Sequence, residues 1–137
     1  MKILFVDDDY EIAMTVRALK ARYPDCEIIL ANSIRKTVEI LSTDKFDRIV
    51  LDIMFPGGDE LVPGSEKFGG LFTGIKLGEM IAAGFFPLNR ASIVYYLTAL
   101  DSSNHEAVAD LQKRIDEKLI FKPVHTTELA TLIGIRS

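Results

Sequence analysis

The sequence predicts an α/β fold, in which helices cover both faces of one doubly wound, five-stranded parallel sheet. Two observations support this fold class. Short, almost continuous apolar runs alternate along the chain with segments of helical periodicity. The runs lack polar–apolar alternation, so each strand is expected to be buried on both faces. At 137 residues, the chain (1–137) is expected to form a single domain.

The first half of the chain contains three predicted strands and two predicted helices. The strands are apolar runs at residues 2–6, 27–31 and 48–53. A helix over 9–22, which Pro24 ends, is predicted from the spacing of Ile12, Val16 and Leu19. Ser33 is a good N-cap for a second helix, whose inward face carries Ile34, Val38 and Leu41.

The second half continues the same alternation. Apolar runs predict strands at residues 92–97 and 119–121. A helix over 73–83 faces inward through Ile75, Leu77, Met80 and Ile81. Ser103 and Glu106 form a capping-box pattern that opens a charged helix over 103–117 with a thin apolar stripe. A final helix over 127–133 is expected to stop at Gly134.

Composition excludes several functional classes. The net charge of −4 argues against a basic nucleic-acid surface. The longest near-apolar run contains Gly and Pro and is too short to cross a bilayer. The single cysteine and the absence of a secretory pattern indicate a cytoplasmic location. We therefore expect no direct nucleic-acid partner and no membrane association.

Polar residues cluster where the predicted strands end. Asp7, Asp8 and Asp9 follow the first strand, and the third, fourth and fifth strands end near Asp52, Thr98 and Lys122. Right-handed crossovers bring all of these positions to the carboxyl edge of the sheet. Helix capping explains each residue singly but not the whole set. Clustered carboxylates need a cation among them, and hard oxygen ligands with room for water suit Mg²⁺.

At this point the chain resembles the receiver domains of two-component response regulators. The resemblance covers essentially the whole chain and rests on four ordered motifs at strand ends, "VDDD" (6–9), "DIMFP" (52–56), "LTA" (97–99) and "KP" (122–123). It implies a flavodoxin-like strand order 2-1-3-4-5. It also implies that Asp52 accepts a phosphoryl group.

The resemblance assigns roles to the other motif residues. Mg²⁺ is expected to be bound by Asp7, Asp8, Asp52 and the backbone carbonyl of Met54, with Asp7 acting mainly through water. Thr98, followed by Ala99, is the expected switch hydroxyl, and Lys122 is expected to pair with the phosphate. The bond before Pro123 is expected to be cis.

The implied function is that of a phosphoacceptor signalling domain. A histidine kinase or histidine phosphotransfer protein is expected to supply the phosphoryl group, and a downstream protein to read it. At most, the chain catalyses its own phosphorylation and dephosphorylation. Two alternatives stay open: a haloacid-dehalogenase-like phosphatase with Asp7 as nucleophile and Asp9 as acid, and an interaction module that works without phosphorylation.

Some positions depart from the receiver pattern. Receivers often carry an aromatic residue three positions before the lysine, but here Leu119 occupies it, so Thr98 is expected to act alone or with an aromatic such as Phe121. Met54 and Leu100 are apolar positions that influence how water reaches the acyl phosphate in receivers. We therefore expect slow dephosphorylation, and an acyl-phosphate lifetime of only seconds would contradict this.

The tract after the third strand is the main departure from the family pattern. Connections between strand and helix usually take about 2–6 residues, so we expect an inserted loop at about 57–72. It contains no Walker-type phosphate-binding motif. It is either a tolerated surface insertion or a contact for a partner protein through Phe68, Leu71 and Phe72.

Overall fold

The structure is a computed structural model that describes residues 1–54, 73–99, 113 and 118–135. Its strands are β1 (Lys2–Val6), β2 (Glu27–Ala31), β3 (Arg48–Asp52), β4 (Ile93–Thr98) and β5 (Leu119–Phe121). Its helices are α1 (Tyr10–Arg22), α2 (Ile34–Thr43), α3 (Thr73–Ala82), the short 3₁₀ helix Pro87–Asn89 and α4 (Thr126–Leu132). The predicted loop at 57–72 and, apart from Lys113, the helix predicted over 103–117 lie outside the described residues.

The five strands form one parallel sheet in the order β2-β1-β3-β4-β5. The predicted fold class and strand order are therefore confirmed. The chain reverses its direction of travel across the sheet after β2, since β3 lies on the other side of β1. This reversal places the carboxyl ends of β1 and β3 side by side at a topological switch point.

The core divides between the two faces of the sheet. Alternate residues of β1 point to opposite faces, with Leu4 and Val6 in one cluster and Ile3 and Phe5 in the other. The first cluster includes buried residues of α2 and α3, and the second includes buried residues of α1 and α4. The expected burial on both faces is confirmed for the central strands β1 and β3. It is wrong for the edge strands β2 and β5, which are only partly buried, because a neighbouring strand covers them on one side only.

Element boundaries differ from the sequence predictions by one residue in several places. β3 ends at Asp52 rather than Ile53. The fourth strand was predicted over 92–97, whereas β4 spans Ile93–Thr98. Ser92 uses its hydroxyl to donate to the carbonyl of Phe46, 2.6 Å away, and so belongs to the preceding turn. The wrong boundary at the start of β4 has a local cause, because a side-chain hydrogen bond competes with strand pairing there.

Helix ends follow the predicted capping residues. Asp9 is the N-cap of α1, and Ser33 caps α2 by accepting from the backbone N–H of Lys36 at 3.1 Å. The last helix, predicted over 127–133, begins one residue earlier, at Thr126, and ends one residue earlier. Gly134 follows with a φ of +82°, a left-handed conformation that glycine adopts at no steric cost.

Candidate functional site at the carboxyl edge of the sheet

Backbone hydrogen bonds between neighbouring strands hold the ends of the strands in register. The N–H of Asp7 donates to Ala31 of β2 at 3.1 Å, and the N–H of Ile53 donates to Leu97 of β4 at 2.9 Å. The N–H of Lys122 donates to the carbonyl of Thr98 at 2.8 Å. Together with the pairing of Val6 with Leu51 between β1 and β3, these bonds fix the four strand ends that carry the predicted site residues.

Three carboxylates meet at this edge. One oxygen each of Asp7, Asp8 and Asp52 lies within 4.8 Å of the other two. Asp7 is 1% exposed and Asp52 is 5% exposed, whereas Asp8 faces solvent. The cluster is thus closed on its inner side and open to water on its outer side.

The lysine predicted from the "KP" motif reaches into the same cluster. The ammonium of Lys122 lies 2.8 Å from Asp7 Oδ2 and 3.7 Å from both Asp9 Oδ2 and Asp52 Oδ1. Burial lowers the pKa of Lys122, but the close ion pair with Asp7 and the charges of Asp52 and Asp9 outweigh it, so its pKa is raised overall. The lysine is therefore charged at neutral pH.

Asp52 has the most perturbed acidity in the site. Burial and then the neighbouring Asp7 carboxylate raise the pKa of Asp52 from 3.8 to about 7, against the opposing charge of Lys122. The backbone N–H of Met54 donates to Asp52 Oδ1 at 3.2 Å, which favours the ionised form slightly. In the absence of a bound cation, the negative charge around Asp52 exceeds the positive charge of Lys122.

The donor set fits a hard divalent cation. Asp7 Oδ1 accepts from the backbone N–H of Asp9 at 2.9 Å, which orients the carboxylate. Asp7 Oδ2 is buried, and no donor with hydrogen-bond geometry reaches it from the described residues, although the ammonium of Lys122 lies nearby. Oxygen ligands of this kind, with an open side for water, match the preferences of Mg²⁺.

Asp9 has a second contact besides the lysine. Its Oδ1 accepts from the backbone N–H of Glu11 at 3.0 Å and so caps α1. The alternative phosphatase interpretation needs Asp9 as a general acid. Its engagement as a helix cap, with Lys122 on the other oxygen, gives that interpretation no support.

The remaining predicted residues line the same edge. Thr98 is 1% exposed at the end of β4, and Ala99 follows it at the surface. The Met54 side chain is 41% exposed, while its backbone N–H contacts Asp52 as described. The peptide bond between Lys122 and Pro123 is cis.

One further residue at the site was not among the predicted site residues. A Cβ atom on Gly74 would overlap the carbonyl oxygen of Asp52 and lie 2.8 Å from its carbonyl carbon. The N–H of Gly74 donates to the carbonyl of Ile53 at 3.0 Å. The first turn of α3 therefore packs directly on the strand end that carries Asp52, and only a glycine leaves room for this.

Some predicted residues cannot be placed. Phe68, Leu71 and Phe72 of the inserted loop and Leu100 lie outside the described residues. Leu119, which replaces the expected aromatic residue, is half-buried in β5 and pairs in register with Tyr96 of β4. Phe121 is 41% exposed.

Among the described helices, none is long and apolar enough to cross a membrane.

No protein-family model matches the chain, and no curated protein matches it. The chain does match solved structures. The receiver domain of the Francisella response regulator 1452 is 24% identical with a TM-score of 0.63, and the match covers 98% of this chain and 93% of that one. The signal receiver domain of a DNA-binding response regulator from Colwellia psychrerythraea is 25% identical with a TM-score of 0.67, over 97% of this chain and 94% of that one.

A third match is to a longer protein. The RcsB response regulator of Salmonella typhimurium is 20% identical with a TM-score of 0.66 over 98% of this chain, which spans 57% of the RcsB chain. The matches to single receiver domains are nearly complete in both directions. The resemblance that the four motifs predicted is therefore confirmed by structure, and the chain has the fold of the response-regulator receiver domains.

Proposed function

We propose that this chain is a phosphoacceptor of a two-component phosphorelay in the cytoplasm, phosphorylated on Asp52. A histidine kinase or histidine phosphotransfer protein supplies the phosphoryl group, and the phosphorylated chain changes its contacts with a downstream protein. The single observation that carries this proposal is the position of Asp52. It is a buried carboxylate beside a second buried carboxylate, Asp7, and a charged lysine, Lys122.

The chemistry is a phosphoryl transfer to a carboxylate. A carboxylate oxygen of Asp52 attacks phosphorus, a P–O bond forms, and the P–N bond of the phosphohistidine breaks. The electron pair of that bond goes to the imidazole nitrogen of the donor, which regains its neutral or protonated form. Lys122 is within reach of the new phosphoryl oxygens, because its ammonium lies 3.7 Å from Asp52 Oδ1.

The residues that would hold Mg²⁺ are Asp7, Asp8 and Asp52, together with the carbonyl of Met54. When bound, the ion neutralises negative charge on the transferring phosphoryl group and its ligands. The raised pKa of Asp52 gives a physical reason for this requirement, since a protonated carboxyl is a poor nucleophile. Thr98 and the neighbouring Ala99 at the end of β4 are proposed to contact the phosphoryl oxygens from the other side.

Incubation with acetyl phosphate and Mg²⁺, followed by mass-spectrometric mapping, tests the proposal. A gain of one phosphoryl group on Asp52 is expected, with none in the Asp52→Asn variant. Asp8→Asn is expected to reduce labelling strongly, because a carboxylate of the cation site is lost, whereas Asp25→Asn on the exposed turn before β2 serves as the control.

The same mapping separates the alternatives. Phosphate on Asp7 would support the phosphatase and overturn the present proposal. Absence of labelling under these conditions and from a phosphohistidine donor, with partner affinity unaffected by Asp52→Asn, would support the phosphorylation-independent interaction module instead.

A further inference from the structure

Two glycines of α3 face the sheet one helical turn apart. Gly74 and Gly78 are both buried, and a spacing of four residues places them on one face of the helix, about 6 Å apart along its axis. A Cβ atom on Gly74 would overlap the carbonyl oxygen of Asp52, and a Cβ atom on Gly78 would overlap the phenol oxygen of Tyr96. The helix is therefore in close contact with two neighbouring strands, with β3 at its first turn and with β4 one turn later.

Tyr96 makes the second of these contacts from the interior of the sheet. Its side chain is 8% exposed and belongs to the core cluster on the α3 side. Burial, and then the charge of Glu79, raise the pKa of Tyr96 to about 12, so the phenol is neutral. Its ring carbons Cζ and Cε1 would lie only 2.9 Å and 3.0 Å from a Cβ atom on Gly78. A larger residue at position 78 and this phenol therefore cannot occupy the interface together without a shift of the helix or the ring.

The first contact reaches the phosphoacceptor. The carbonyl of Ile53 accepts from the N–H of Gly74 at 3.0 Å, while the N–H of Ile53 donates to Leu97 of β4 at 2.9 Å. The N–H of Met54 donates to Asp52 Oδ1 at 3.2 Å. The segment 52–54 is thus held between the first turn of α3 and the end of β4. Because close-packed interiors transmit strain, a displacement of α3 at position 78 is expected to move this segment as well.

We propose that Tyr96 and Gly78 are positioning residues for phosphoryl transfer, because the fit of the phenol against the glycine sets the distance of α3 from the sheet. That distance in turn sets the placement of the Asp52 carboxylate and of the Met54 backbone. The inference rests on the proposed function, since its consequence is a change in the phosphorylation of Asp52. A misplacement of about 1 Å is enough to slow a reaction by about 100-fold.

The contact predicts that substitutions at the two positions depend on each other. Alanine favours a helix more than glycine does, so helix propensity alone would make Gly78→Ala stabilising. Overlap with the phenol is expected to reverse this sign in the parent. In a Tyr96→Leu background the phenol is absent and space is left, so the same alanine should be favourable. Tyr96→Phe removes the oxygen but keeps the two ring carbons, and should give an intermediate result.

The initial rate of Asp52 phosphorylation by acetyl phosphate at saturating Mg²⁺ tests the inference, with thermal unfolding as a second measurement. Rates are measured at a temperature at which each variant is folded, so that a lower rate reports on the site. Gly78→Ala is compared in the parent, Tyr96→Phe and Tyr96→Leu backgrounds. If it fails to fold in the parent, the other two backgrounds decide. Ala82→Ser, which also adds one heavy atom to α3 but at an exposed position, is the control.

Gly78→Ala is expected to slow phosphorylation at least about tenfold in the parent and less in Tyr96→Phe. In the Tyr96→Leu background it is expected to raise the rate, and Ala82→Ser should match the parent. Parent-like rates in all folded variants would overturn the positioning role, even with changed midpoints, and would leave the proposed function standing. Equal effects of Gly78→Ala in every background would also overturn it. A parent that is not phosphorylated on Asp52 would count against the proposed function itself, and the inference would fall with it.

Discussion

Asp52 has its acidity set by its immediate surroundings. The side chain is 5% exposed, it lies beside Asp7, and its pKa is raised to about 7. A carboxyl group whose pKa is higher in the folded than in the unfolded chain stabilises the fold at low pH, where it is protonated in both states. This stabilisation is lost as the pH rises through the folded-state pKa.

The metal-free protein is therefore expected to lose stability between about pH 4 and about pH 7 through Asp52. The side chain of the Asp52→Asn variant cannot ionise. The free energy of unfolding of this variant should therefore increase relative to that of the parent as the pH rises across this window. Urea unfolding in EDTA at a series of pH values measures this difference. A difference in unfolding free energy between parent and variant that stays constant with pH would contradict the raised pKa. Saturating Mg²⁺ compensates the charge of Asp52, so the pH dependence of this difference should disappear when it is present.

At the opposite end of the sheet, Asn89 joins the 3₁₀ helix to the stretch of chain over residues 41–46. It lies at the end of the 3₁₀ helix and is fully buried. Its amide donates to the carbonyls of Leu41 at 2.9 Å and Asp44 at 2.7 Å, and its oxygen accepts from the N–H of Phe46 at 2.8 Å. One side chain thus provides hydrogen-bond partners for backbone groups at the end of α2 and in the turn that leads into β3.

Substitution of Asn89 by Ala is expected to lower the free energy of unfolding by about 3 kcal/mol, because it leaves buried backbone groups without a partner. Asn32→Ala, at an exposed position after β2, is the matched control and should change stability by less than about 0.5 kcal/mol. Chemical denaturation of both variants provides the measurement. Equal, small effects would show that water replaces the lost hydrogen bonds. Labelling of Asp52 by acetyl phosphate should persist in both, since Asn89 lies away from the carboxyl edge.

In the folded chain, the residues that flank the inserted tract lie next to each other. The carbonyl of Ile53, just after β3, accepts from the N–H of Gly74 in the first turn of α3 at 3.0 Å. Both flanking elements pack into the same core cluster through Ile53 and Ile75. The residues between them therefore connect two positions that the core already holds in contact.

Deletion of residues 59–70 is expected to leave the fold intact, because shortening a loop whose ends are anchored changes its closure entropy by only about 1 kcal/mol. We predict that acetyl phosphate still labels Asp52 in the deletion variant, whereas transfer from a phosphohistidine protein active on the intact chain becomes slower. A variant with Phe68, Leu71 and Phe72 changed to Ser tests the same contact without altering loop length. Undiminished transfer to both variants would identify the tract as a tolerated insertion.

Local patterns in the sequence were enough to predict most of the fold. Continuous apolar runs and helical spacing predict the five strands and all four described α-helices, because burial on both sheet faces requires apolar residues throughout each strand. Capping residues such as Asp9 and Ser33 predict helix starts within a residue, since a cap is a local interaction. The acids, threonine and lysine at the strand ends predict the members of the site, because parallel topology brings strand ends to one edge.

Distances and burial were decided only by tertiary structure. The sequence alone determined that Asp7, Asp52 and Lys122 share an edge, but the preference of the lysine for Asp7 over Asp52 depends on how β5 sits in the sheet. The raised pKa of Asp52 likewise arises from burial and a neighbour 45 positions away in the chain. The role of Asn89 and the close approach of Gly74 to Asp52 were decided by tertiary structure, because both result from contacts between segments that are distant in sequence.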